Sequence, residues 1–297
     1  MTGTSSSSFY FTHSTTPWIE KLRFALRQAY FERGQTSPLW LLLSQSKYSV
    51  VPQLICKAME APQRLFYDWR YGYAQRVQAL CEHYSFVMAR LPATVASNLL
   101  KLQSCELFRY EGKSGHTYQL RLGIDHQMEK EGALTLELLC QGQSVTRCTW
   151  HFARLAVPGG QGDPAWVIRI GGLQSTNIDT QQQIKQATRD FHGIQPRILM
   201  LQAMRSVAQA LGMSRIEAVG GAWHVYSSRR YRKPIASDYN QLWVFLGLEA
   251  LPDGNFATDT QIPIKDLQDC PSNKRSEYRR RNECLLSLQE QIVKVLT

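Results

Sequence analysis

The 297-residue sequence predicts an α+β protein: a helical N-terminal region followed by a mixed, mostly antiparallel sheet with flanking helices. Three observations carry this. Up to about Leu102 the apolar residues recur at helical spacing; from Cys105 they alternate in short runs; and between residues 165 and 219 strand, helix and strand patterns follow one another.

Residues 1–17 are Ser/Thr-rich and read as a flexible lead-in. In the helical region, 18–104, Trp18, Leu22, Leu26 and Tyr30 form one apolar stripe, and Pro38, Pro52, Pro62 and Pro92 punctuate short helices. Arg76 and His83 read as a solvated pair on one helix. The remaining chain, 105–297, opens with strand-like runs at 105–110, 116–124, 133–139, 145–153 and 165–171, divided by glycines that include Gly159 and Gly160. Gln141, Gly142 and Gln143 form a hairpin turn, and the last run ends at Gly171 and Gly172. A helix is expected from about Thr180 to Arg189, and a second begins at Pro196 and closes at Gly212. The strand at 215–219 completes a crossover unit. A basic helix starts near Asn273, capped by Ser272 or Asn273.

Hydrophobic residues make up 43% and charged residues 20% of the chain, a balance that supports a sizeable core. The net charge of +10 favours anionic partners without choosing among them. Seven cysteines with no CxxC pair argue against a disulfide framework or a cysteine zinc site, and point to reduced thiols. The N-terminus lacks the basic and apolar regions of a secretory signal, and the longest strongly apolar run, residues 39–43, is far too short for a bilayer of about 30 Å. A cytoplasmic protein is expected, with any membrane contact peripheral at the inner membrane.

Three constellations carry chemistry. IGGLQ (170–174) precedes FHGIQP (191–196) and the helix at Arg197, so Gly171, Gly172, Gln174, His192, Gly193 and Arg197 are candidates for an anion or cofactor site, using backbone donors and one cation. In AWHVYSSRRYRK (222–233), Arg229, Arg230, Arg232 and Lys233 surround Tyr231 and suit phosphate; His224 and Tyr226 are the candidate general acid or base. In SNKRSEYRRR (272–281), Lys274, Arg275, Arg279, Arg280 and Arg281 form a basic cluster whose first members stand in the first helical turn, against the macrodipole. Solvated loops and ordinary capping glycines account for the same residues without function. P-loop, HExxH, nucleophile-elbow and kinase patterns are absent, and His126, His151 and His192 have no metal-triad spacing.

Together with DYNQLW (238–243) and DWRYGYAQRVQALCEHY (68–84), these blocks resemble, in order, the VirK/YbjX family of Gram-negative bacterial proteins. The resemblance departs at Ser175, where glycine is expected. It implies a role in cell-envelope integrity, virulence and antimicrobial-peptide resistance, and no assigned reaction. Residues 105–225 are also similar in element order to the GNAT acetyltransferase core, which implies a coenzyme A thioester as cofactor. Two functions follow from different classes: an acyl-CoA-dependent acyltransferase, or a non-catalytic binding protein whose basic clusters meet anionic lipid or an acidic partner. Nucleic acid is not expected, because no reading motif accompanies the diffuse charge.

Overall fold

The computed structural model describes residues 6–32, 37–125, 127–155, 164–175, 180–231 and 238–297. Gly159, Gly160, His126, Arg232 and Lys233 lie outside them. Six helices come first: α1 (Ser6–His13), α2 (Trp18–Glu32), α3 (Pro38–Ser44), α4 (Pro52–Glu60), α5 (Tyr73–Arg90) and α6 (Ala93–Leu100). Proline opens α3 and α4, where its missing N–H and fixed φ cost nothing.

Two expectations for this region are corrected. Residues 6–13 form a helix instead of a flexible lead-in, because the buried Tyr10 donates its hydroxyl to Glu60 of α4 and stacks on Phe24 of α2 at 3.7 Å. Arg76 and His83 are buried, not solvated. His83 Nδ1 accepts from the Phe152 N–H at 3.3 Å, and Glu82 accepts from the Arg154 N–H at 3.0 Å. The apolar stripe of α2 faces solvent; the helix buries Phe24 and Gln28 instead.

The sheet follows as β1 (Cys105–Glu111), β2 (Thr117–Gly123), β3 (Leu134–Cys140), β4 (Gln143–Arg154) and β5 (Trp166–Ser175). Then come α7 (Thr180–Asp190), α8 (Pro196–Ala210), β6 (Arg215–Ala218), α9 (Tyr239–Phe245), β7 (Glu249–Ala250), β8 (Phe256–Thr258) and α10 (Arg275–Leu296). Eight strands run in the order β1-β2-β3-β4-β5-β6-β8-β7, and among the described strands only β5 and β6 pair in parallel. The α+β class and the mostly antiparallel sheet are therefore as the sequence predicts. The β3–β4 hairpin turns on Gln141 and Gly142, both at positive φ (49° and 81°), the combination a two-residue turn needs to match strand twist.

β5 does not end at its glycines. β4 goes on pairing with Gly172, Leu173, Gln174 and Ser175, and Gly171 is left over as a bulge between the Trp150–Ile170 and Thr149–Gly172 pairs. Beyond Trp150, β3 has ended, and α5 supplies the acceptors that the free edge of β4 requires. The helical region and the sheet share one core across the α6–β1 junction; Phe86 of α5, for example, meets Phe152 and Trp166 at 4.0 and 4.8 Å. α10 begins after a 3-10 turn at Ser272–Lys274, with Lys274 at its N-cap and no side-chain cap from Ser272 or Asn273.

Candidate functional site

The sequence blocks assemble into two centres. The first is a buried carboxylate, Glu131, in the turn that enters β3. Its backbone oxygen would lie 1.7 Å from a Cβ at Gly171, and its Oε2 2.2 Å from one at Gly172, so both glycines are demanded by this close approach. Gln174 Nε2 donates to Glu131 Oε1 at 2.6 Å and Thr149 Oγ1 to Oε2 at 3.3 Å. His224 Nε2 stands 3.2 Å from Oε1. The His224 Nδ1 accepts from the Tyr226 N–H at 3.4 Å, so Nε2 is the ring nitrogen left facing the carboxylate. Tyr239, from the DYNQLW block, stacks on His224 at 4.6 Å, and its hydroxyl is pushed up by burial and then by the Glu131 charge.

Gly171, Gly172 and Gln174 thus hold an internal carboxylate, a correction to their reading as an external anion or cofactor site. His224 and Glu131 have no solvent exposure, so the histidine is placed as a structural partner. Tyr226 is half-buried, its hydroxyl raised to about 12, first by burial.

The second centre is open. The turn at His192 and Gly193 takes two successive positive φ values, 52° and 87°, and meets the start of α10. Arg281 Nε donates to the His192 carbonyl, and its guanidinium pairs with Glu277. A cleft of about 510 Å³ lies between them, lined by Lys113, Arg189, His192, Gly193, Glu277 and Arg280 with three small polar residues. Glu277 is its one carboxylate, and it is already paired. Lys113, Arg189 and Arg280 make no ion pair among the described residues. The positive field is felt by His192, whose pKa is lowered by burial first and then by Arg280 and Lys113.

Asp190, which the sequence reading missed, organises the cleft. It accepts from the Ser114 N–H, the Ser114 hydroxyl and the Tyr118 hydroxyl, each at 2.8 Å, and so fixes the β1–β2 turn that carries Lys113. Burial raises its pKa, but these hydrogen bonds prevail and hold it at about 2. A carboxylate in the last turn of a helix opposes the macrodipole, and that oddity is the one signal the sequence held. Glu131 had none.

Other predicted residues stand apart. Arg197 is half-exposed on the first turn of α8 and lines neither the cleft nor the apolar groove beside it. Arg229 and Arg230 are exposed on another part of the surface, where Arg230 lies near Arg76 and where Tyr231 packs on Tyr226 and Lys130. The described members of the two basic clusters therefore do not share one pocket. Lys274, Arg275 and Arg279 are exposed beside the cleft without lining it. A third cavity of about 480 Å³ holds Arg70, Arg169 and Arg215 together with three carboxylates, Asp68, Asp253 and Glu217, that balance them: Arg70 and Asp68 lie 2.5 Å apart, Arg169 and Glu217 2.9 Å, and Glu217 also pairs with Arg215.

Among known proteins, the family model described as "Protein of unknown function (DUF535)" matches residues 15–294. The "Uncharacterized protein YbjX" of Escherichia coli (strain K12) is 32% identical over 222 residues, 73% of this chain and 66% of that protein, just under two thirds of its length. An "Uncharacterized protein" of Haemophilus influenzae (strain ATCC 51907 / DSM 11121 / KW20 / Rd) is 26% identical over 76% of this chain and 72% of its own. A solved structure, the "cAMP-binding acyltransferase from Mycobacterium smegmatis", aligns with 63% of this chain and 56% of its own at 8% identity and a TM-score of 0.30, too distant to assign anything shared. The match of the family model over nearly the whole chain, with the YbjX identity, establishes that the chain belongs to the DUF535 family of VirK/YbjX-like proteins.

Proposed function

We propose that this protein binds the phosphate-bearing headgroup of an anionic lipid in the cleft between the His192–Gly193 turn and α10, acting at the cytoplasmic face of the inner membrane. The observation that carries this is the convergence of Lys113, Arg189 and Arg280 on one open cleft with no free carboxylate. Cations in that state attract a multiply charged oxyanion, which their paired counterparts around Arg169 do not. An apolar groove of about 420 Å³, lined by Ile194, Ile198, Leu285 and Tyr278, borders the cleft across Arg281 and suits an acyl chain. Among the described residues no helix is long and apolar enough to cross a membrane. Binding of this kind is how the protein would serve the envelope, virulence and peptide-resistance roles that its family resemblance implies.

Thermal melting with short-chain phosphatidic acid, glycerol 3-phosphate or inorganic phosphate tests it, because a ligand of the native state alone must raise the melting temperature. The short-chain lipid should stabilise most if the groove takes the chain; equal stabilisation by free phosphate would reduce the ligand to the anion. No shift with any of them, or an unchanged shift in Arg189→Glu with Arg280→Glu, sinks the reading.

A second reading, an acyl-CoA-dependent acyltransferase, is favoured by one observation. β5 and β6 pair in parallel from Val167 to Ile170, and the bulge at Gly171 begins where that pairing ends. In this chain Glu131, Gln174 and His224 surround that point, so coenzyme A would have to displace them. Failure of acetyl-CoA, longer acyl-CoAs and free CoA to raise the melting temperature would remove it.

A further inference from the structure

The α2 helix is turned the opposite way from an ordinary surface helix. Its inner face buries Phe24 and Gln28, and Gln28 Nε2 donates to Ser6 of α1. Its outer face carries Trp18, Ile19, Leu22, Leu26 and Tyr30, exposed by 70, 47, 46, 63 and 78%. At 100° per residue these five fall within one arc of about 120°, opposite Phe24 and Gln28. Scattered surface leucines need no explanation, but a continuous apolar stripe on a solvent-facing helix does.

From this face we infer a membrane-docking surface: α2 lies flat on an anionic lipid bilayer with the stripe buried at the headgroup–acyl boundary. Its chemistry matches that occupant at three points. Aromatic rings stand at both ends, Trp18 and Tyr30, amphipathic groups that settle at the interface. Lys21, Arg23 and Arg27 outnumber Glu20 and Glu32 in the helix sequence; Glu20 pairs with Arg23 and Lys21 donates to the Phe11 carbonyl, so Arg27, at the border of the stripe, is the cation placed to meet lipid phosphates. The helix is 15 residues, about 22 Å at 1.5 Å per residue, too short to span and suited to lie in plane. A second copy of the chain would also cover the apolar stripe, an outcome that sedimentation tells from lipid binding. This inference stands apart from the cleft, which is built from α7, α10 and the β1–β2 turn.

Flotation of the full chain with vesicles of phosphatidylcholine alone, and with increasing phosphatidylglycerol, reads it directly. Binding should rise with the anionic fraction and fall in high salt. Leu22→Ser with Leu26→Ser, both on the exposed face, should reduce vesicle binding at least tenfold and leave the melting temperature unchanged. Trp18→Phe should retain binding but lose the vesicle-induced blue shift of fluorescence. Arg189→Glu with Arg280→Glu, which disables the cleft, should keep α2-dependent flotation, so failure of one proposal is told from failure of the other. No flotation of the wild type, flotation unaffected by the Leu22 and Leu26 changes, or a dimer in sedimentation that the same changes dissociate would overturn the inference.

Discussion

Glu131 and the His192–Gly193 cleft are both built where motif blocks meet, yet they treat charge in opposite ways. Around Glu131 the polar groups turn inward: Gln174 and Thr149 donate to the carboxylate, His224 Nε2 stands at ion-pair distance from it, and the Tyr226 N–H donates to the other nitrogen of His224. In the cleft, Lys113, Arg189 and Arg280 have been brought together with one carboxylate, Glu277, which Arg281 already occupies, and left open to solvent. Buried charge must be satisfied within the fold, whereas uncompensated cations at a surface leave interaction energy for a ligand. The difference teaches that a conspicuous motif such as IGGLQ can serve the interior, while a plainer turn serves the outside.

If that division is right, the largest effect belongs to Gly171→Ala. A Cβ there would sit 1.7 Å from the Glu131 oxygen, a backbone atom that cannot swing away. Urea unfolding should give a loss of about 4 kcal/mol or more, at the top of the range for single changes. Wild-type stability in this variant would break the comparison at its firmest point. Glu131→Ala comes next, at about 3 kcal/mol, since it empties a fully buried site, removes the acceptor of the half-buried Gln174 amide and leaves the buried His224 Nε2 without the carboxylate beside it. Glu131→Gln, which keeps the shape, should lose less.

Much of the fold was legible because its signals are local. Strand β2 alternates strictly with period two and β1 does so up to its bulge, and α8 has an apolar period closed by Gly212 at φ 65°. The helix α1 was not legible, because its reason for ordering is Glu60, fifty residues away. For α2 the stripe was visible but its direction was not: periodicity says which residues share a face, never which way that face turns. The cleft was half legible. His192, Gly193, Arg280 and Arg281 were singled out, but Lys113 joins them only because Asp190 holds its turn through contacts to Ser114 and Tyr118, 76 and 72 residues away. Glu131 was invisible for the same reason, its partners lying 18 to 93 residues further along the chain.

Two histidines sharpen the same contrast through pH. His83 is fully buried, and desolvation lowers its pKa from 6.5 to about 3. Its folded value lies below its unfolded value, so the unfolded chain takes up the proton first as pH falls. Stability from the neutral ring is complete above about pH 6.5 and declines as pH drops toward 3. At about 1.4 kcal/mol per unit, roughly 2 to 3 kcal/mol is lost by pH 4.5. His83→Gln, which keeps an acceptor for the Phe152 N–H, should show a flatter decline in melting temperature over that window. His151, also buried and lowered, first by burial and then by Arg169, adds to the slope in both proteins.

The smallest effect on stability should come from the cleft, and that is what makes it diagnostic. Arg189→Ala with Arg280→Ala removes two exposed, unpaired cations and should shift unfolding by no more than about 0.5 kcal/mol. Relief of repulsion on His192 should raise that histidine's pKa toward its ordinary value, a change that proton NMR titration reads without any ligand. A structural role for these arginines predicts the reverse pattern: a measurable loss of stability and no movement of His192. The two measurements together therefore decide whether the cations are held ready for a ligand or belong, like Glu131, to the architecture.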